Sequence, residues 1–213
     1  MKELYYHDVE QGTDEWLHIK AGKFGGTSAA AILVGGPEVI SAGLRTLIYK
    51  KAAELVVGPE LDGYISKDMQ RGNDLEPIAR ERYVNERFQE VKQTGFIQWG
   101  EYFGFSPDGL VADDGTIEIK CPAAKTYVEW LDCAQAVGDI PLNYFAQIQW
   151  GLFISGRKWC DYIVYHPKFA PNDLAITRVE PDPVTFKKFE AKCELIRAEM
   201  NRIQEVIAQK EAV

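Results

Sequence analysis

Cysteine and histidine are scarce and scattered in this chain of 213 residues. Cys121, Cys133, Cys160 and Cys193 form no Cys-x-x-Cys pair, and His7, His18 and His166 are equally far apart. That spacing excludes a zinc knuckle and a disulfide framework, and it suits the reduced cysteines of a cytosolic protein. A metal bound here is therefore expected on oxygen donors. Long apolar runs are also missing. No stretch reaches the roughly 18 apolar residues of a membrane-crossing helix, so none is expected. The polar, acidic start MKELYYHDVEQGTDEW does not resemble a signal peptide. Basic charge is in deficit: 24 Lys and Arg against 32 Asp and Glu leave a net charge of -8. This argues against a nucleic-acid coat protein, whose affinity comes from basic surface, but not against positive charge confined to one groove.

What remains is ordinary globular composition, 46% hydrophobic and 26% charged, with no internal repeat, low-complexity segment or linker. We expect one domain over residues 1–213, built as an α/β fold with a central mixed sheet flanked by helices. Thr13 is expected to cap a short helix through Lys20, and Thr27 a helix over Ala29–Val34 after the glycine-rich loop 21–28. That loop reads either as a phosphate cradle at a helix start or as a plain turn with a capped helix. A helix is expected over Ser41–Val57, a loop through Ser66, and another helix over Lys67–Phe88. Pro77 predicts a kink or a new helix start near Glu76. Glu76 itself reads either as an aimed carboxylate or as part of a solvated charged face.

Strands are expected at 94–99, 102–105, 160–166 and 174–180, and helices at 126–136 and 141–154. The helix at 141–154 carries Gln147 and Gln149 among apolar residues, and buried glutamines need partners. Over 184–210, Phe186, Phe189, Cys193, Ile196, Met200, Ile203 and Ile207 recur at steps of three and four, predicting a helix docked on the domain.

The chemistry concentrates in Gly104–Pro122, GFSPDGLVADDGTIEIKCP. Thr116–Lys120 alternates polar and apolar residues, and Asp113-Asp114-Gly115 predicts a tight hairpin turn. Glu118 and Lys120 then share one face of a strand, and folding the hairpin brings Asp108 near them. Two carboxylates and an ammonium so placed suit phosphodiester hydrolysis with two oxygen-ligated Mg²⁺ ions. Asp108, Glu118 and the Ile119 backbone carbonyl would be ligands, and Lys120 would orient the attacking water. A surface hairpin with one ion pair is the competing reading.

Ser106-Pro107-Asp108-Gly109-Leu110 followed by Glu118-Ile119-Lys120-Cys121-Pro122 resembles the core of the lambda exonuclease family. This is the viral-recombinase or alkaline-exonuclease branch of the PD-(D/E)XK nucleases. The resemblance extends, in order, through Gln11-Gly12-x-x-x-Trp16, Gly72-Asn73-x-x-Glu76 and Tyr144-Phe145-Ala146-Gln147-Ile148-Gln149.

It implies a PD-(D/E)XK core and a Mg²⁺-dependent exonuclease, with Mn²⁺ able to substitute. Such an enzyme degrades one strand of duplex DNA from its 5′ end to mononucleotides, leaving a 3′ overhang for recombination by strand annealing. It implies Asp108 and Glu118 as metal ligands, Lys120 as the catalytic lysine, Glu76 near the metals and Gln147 orienting the water or a ligand. It also implies a 5′-phosphate pocket, matched by Lys20, Thr27 and Ser106. Lys20 stands where the family carries arginine, and Lys125 is the nearest cation to a second missing arginine. A homotrimeric ring, a single-strand annealing protein as partner, and a cytoplasmic setting in a bacterial host, of phage or prophage origin, are implied as well. The rival readings are an endonuclease or single-strand-specific nuclease of the same superfamily, and a non-catalytic DNA-end-binding module.

Overall fold

The computed structural model describes residues 2–61 and 66–211, so part of the expected loop through Ser66 lies outside the described residues. The chain opens with strand β1 (Leu4–His7), which the sequence reading missed. Side-chain caps then set three helix starts. Thr13 accepts from the Trp16 amide ahead of α1 (Asp14–Lys20). After the short α2 (Ala29–Ile32), Ser41 accepts from the Leu44 amide ahead of α3 (Ala42–Val57). Ser66 accepts from the Met69 amide ahead of α4 (Lys67–Arg87). Each oxygen satisfies an amide that would otherwise have no partner.

Two expectations fail here. Thr27 caps nothing, because Gly26–Ser28 tightens into a 3-10 turn before α2, closed by the Ser28 amide on the Gly25 carbonyl at 2.9 Å. And α4 does not restart at Glu76: it runs unbroken from Lys67 through Pro77. Proline removes one amide, the one that would have bonded the Asn73 carbonyl, and the rest of the helix continues.

Strands β2 (Val91–Lys92), β3 (Phe96–Trp99), β4 (Phe103–Phe105), β5 (Gly109–Val111) and β6 (Gly115–Lys120) follow. Next come α5 (Ala124–Asp132), α6 (Leu142–Ser155), β7 (Trp159–Tyr165), β8 (Leu174–Val179) and α7 (Pro183–Glu211). Helix α5 stops at Asp132 rather than 136, since Cys133 is extended and Gln135 takes a positive φ. β1, β3 and β4 form a small antiparallel sheet. The main sheet is mixed, in the order β2-β5-β6-β7-β8. Only β6 and β7 run parallel in it, and α5 and α6 provide the crossover that a parallel pair requires.

The β5–β6 hairpin forms with Val111 opposite Gly115, but the turn is Ala112–Asp114 and the positive φ falls on Ala112. Gly115 serves packing instead. A Cβ there would lie 2.1 Å from the Trp159 ring.

Three clusters hold these layers together. On one sheet face, Ile117, Ile119 and Ile163 pack against Ala79 and Tyr83 of α4. On the other, Tyr162 and Val164 meet Tyr127 and Trp130 of α5 and Ile148 and Leu152 of α6. The third joins Phe103, Phe105 and Trp150 to Phe189, Ile196 and Met200 of α7, whose apolar stripe docks as expected. Strand alternation therefore buries Ile117 and Ile119 towards α4 and turns Glu118 and Lys120 towards α6. Buried Asp161 ties α4 to the sheet, accepting from the Tyr83 hydroxyl at 2.8 Å and from Arg178 at 2.8 and 2.9 Å.

Candidate active site

The end of β6 opens into a cleft of 780 Å³ walled by α4, α5 and α6. Asp108, Glu118, Lys120, Gln147 and Glu76 all line it, so the structure gathers five of the expected residues from four parts of the chain. Glu118 is 1% exposed. Its Oε1 accepts from Lys120 Nζ at 2.5 Å and from Gln147 Nε2 at 2.7 Å. Its Oε2 is buried and has no partner among the described residues. An unpaired buried carboxylate oxygen is costly, and burial pushes the Glu118 carboxyl up to about 7 against the pull of Lys120.

Asp108 follows β4 and keeps some exposure to the cleft. Its Oδ2 accepts from the Ile119 amide at 2.6 Å. The protein packed around it pushes its carboxyl above the usual range, against Lys120, that amide and Arg80. Because a strand residue presents its amide and carbonyl to the same side, the Ile119 carbonyl also points to the Asp108 edge of β6. For Lys120, burial works against the charge, but Glu118 and Asp108 outweigh it and hold the ammonium protonated. Lys120 also lies 5.0 Å from the centroid of the Tyr144 ring.

Glu76 sits on the cleft side of α4, not on a solvated face, and burial followed by Asp108 pushes it up to about 7. It pairs with Arg80, whose Nε donates to the Asp108 carbonyl at 2.9 Å. Among the described residues no three His, Cys, Asp or Glu side chains already converge as a metal set. The oxygen donors available are Asp108, the orphaned Glu118 Oε2 and the Ile119 carbonyl, a hard-donor set that fits a divalent cation such as Mg²⁺.

A second cavity of 370 Å³ shares Asp108 and Gln147 with the first. Lys20, Thr27 and Ser106 line it, as expected of the phosphate pocket, together with Lys23, Lys50 and Lys51. Lys20 Nζ lies 3.3 Å from the Trp16 ring centroid. Burial, then Lys51, lowers the Lys20 pKa to about 8. Lys125 lines neither cavity. It is exposed and paired with Glu129 at 3.2 Å along α5.

Several supporting residues carried no role in the sequence reading. Gln11 Nε2 donates to the Pro107 carbonyl at 2.8 Å, and Trp16 Nε1 to Ser106 Oγ at 3.1 Å. Both brace the loop that presents Asp108. Their place in the Gln-Gly-x-x-x-Trp motif was the available signal. Gln149, by contrast, faces away and fixes the start of α7 through the Glu180 carbonyl and the Asp182 amide, each at 2.8 Å.

A family model described as a YqaJ-like viral recombinase domain matches residues 15–158. By structure the chain is similar to an alkaline exonuclease, LHK-Exo, from Laribacter hongkongensis. The TM-score is 0.80 with 30% identity, covering 94% of this chain and 98% of that one. The same values hold for LHK-Exo in complex with dAMP. A phage-related exonuclease from Haemophilus somnus shares 13% identity over 92% of this chain and 100% of that one. At a TM-score of 0.65 that is a likeness of fold alone. No curated protein matches the chain. The α/β core of PD-(D/E)XK type is borne out by these likenesses.

Proposed function

The chain belongs to the YqaJ-like viral recombinase family, and from that membership and the cleft we propose a Mg²⁺-dependent exonuclease acting on double-stranded DNA. It degrades one strand in the 5′-to-3′ direction to mononucleotides and leaves a 3′ overhang for strand annealing. The observation that carries the reading is Glu118, held at Oε1 by Lys120 and Gln147 while its buried Oε2 has no partner among the described residues.

Asp108, Glu118 and the Ile119 carbonyl would hold the metal, with Glu76 close by. Two Mg²⁺ ions, replaceable by Mn²⁺, would supply Lewis-acid activation of water and neutralisation of phosphate charge. Lys120, kept protonated by its two carboxylates, orients the attacking water and offsets charge developing on the phosphate. Gln147 fixes the Glu118 carboxylate. The adjoining cavity takes the 5′-phosphate on Lys20, Thr27 and Ser106, and sharing Asp108 and Gln147 with the cleft gives that phosphate a set distance from the chemistry.

The partners that follow are duplex DNA with a 5′-phosphorylated end, two further copies in a ring, and a single-strand annealing protein. The setting is the cytoplasm of a bacterial host carrying a phage or prophage. No helix among the described residues is long and apolar enough to cross a membrane. Sedimentation at the mass of three 24.1 kDa chains is the expected result, and a single-chain mass removes the ring.

Digestion of four substrates tests the activity: phosphorylated linear duplex, hydroxyl-ended linear duplex, closed circle and single strand. We expect mononucleotides from the linear duplexes, fastest with the phosphate, and an intact circle. Cutting of the circle, or exclusive use of single strands, contradicts the proposal.

A further inference from the structure

The cleft is short of available cations. Among the described residues, six carboxylates line it (Asp68, Glu76, Asp108, Glu118, Glu129 and Asp139) against only Lys120 and Arg71. Lys120 is taken up by Glu118 at 2.5 Å, and Lys125, paired with Glu129 at 3.2 Å, is 88% exposed and does not line the cleft. Arg71 differs from both. It projects from α4, and its Nε donates at 3.2 Å to the carbonyl of Cys121, the residue after Lys120. Its Nη1 meets Asp68 at 2.8 Å, and that carboxylate is 80% exposed. Nη2 has no protein partner among the described residues.

Anchoring Nε to a backbone carbonyl fixes the plane of the guanidinium at the cleft edge. An exposed ion pair such as that with Asp68 is weakly held and readily exchanged. Once Asp68 is released, the Nη1/Nη2 end of the fork matches two oxygens of one phosphate, which an ammonium cannot do. We propose that Arg71 is a substrate-binding residue that grips a backbone phosphate of the DNA strand in this cleft, giving up Asp68 to do so. The inference rests on the nuclease reading above. It assigns to α4 the second cation that Lys125, from its position, does not supply.

The alternative is a structural clamp that merely ties α4 to the end of β6. Binding of a fluorescein-labelled duplex, with calcium replacing magnesium to hold back cleavage, separates the two when measured across salt for the unsubstituted protein, Arg71→Ala and Arg71→Lys. Arg71→Ala is expected to weaken binding about tenfold and to reduce the slope of log K against log salt by about one. Arg71→Lys keeps the slope but recovers only part of the affinity. In Mg²⁺-dependent digestion, KM rises in Arg71→Ala while kcat is nearly kept. Melting temperatures are recorded for all three proteins. An unchanged slope and KM in Arg71→Ala, with only the melting temperature lowered, overturns the proposal in favour of the clamp. If Arg71→Ala does not fold, the same slope and KM in Arg71→Lys as in the unsubstituted protein, with its full affinity, overturns it equally. An unsubstituted protein that neither binds nor digests duplex DNA instead overturns the nuclease reading, so the two failures are told apart.

Discussion

Lys20 carries a charge that its surroundings resist. Burial and the neighbouring Lys51 bring its pKa down to about 8, below that of a free lysine. Between that value and the lysine pKa of the unfolded chain, the unfolded state holds more protons, so this residue makes the protein more stable as pH rises through that window. Binding runs the other way: above pH 8 the ligand-free pocket loses the ammonium that would meet a 5′-phosphate. The rate ratio between phosphorylated and hydroxyl-ended duplexes is therefore expected to shrink as pH rises through about 8. In Lys20→Arg it should persist, because a guanidinium keeps its proton. Initial rates across pH check this, and a ratio independent of pH in the unsubstituted protein contradicts it. Glu118 and Lys120 were legible in the sequence because strand alternation fixes which residues share a face, and Asp108 because the hairpin folds its loop back beside them. Arg71 and Arg80 were not, since each reaches a backbone carbonyl far along the chain, and a carbonyl leaves no mark in the sequence.

Among elements, the turn before α2 and helix α6 meet closely enough to be tested. A Cβ at Gly26 would lie 2.9 Å from Gln147 Cγ, so Gln147 would have to move and its bond to Glu118 would loosen. Gly26→Ala is expected to lower kcat by about ten- to a hundredfold, as small misplacements at a reacting centre do. Gly43→Ala, on α3 and away from both cavities, where the new Cβ meets nothing within 4 Å, is the control and should keep its rate. Equal rates in both variants would mean that Gln147 has no positioning role. The long periodic elements, α3, α6, α7 and β6, were readable from pattern alone. β1 and β2 were not, because four- and two-residue edge strands take their definition from partners such as Trp99 and Val111. Of the two outcomes that Pro77 suggested, the new start does not occur, as α4 continues across one missing bond.

At the scale of the molecule, a net charge of -8 has to coexist with a polyanionic substrate. Positive charge is instead local: Lys20, Lys23, Lys50 and Lys51 line one cavity, whereas the adjoining cleft sets six carboxylates against Arg71 and Lys120. The carboxylates crowded around Lys120 are where the proposed divalent cation would relieve repulsion. The most direct test is Mg²⁺-dependent nucleotide release from a linear 5′-phosphorylated duplex by the unsubstituted protein and by Glu118→Ala, with melting curves for both. The account predicts that the variant stays folded and loses activity by about a thousandfold or more. A folded Glu118→Ala protein that still digests the duplex at the full rate would contradict it.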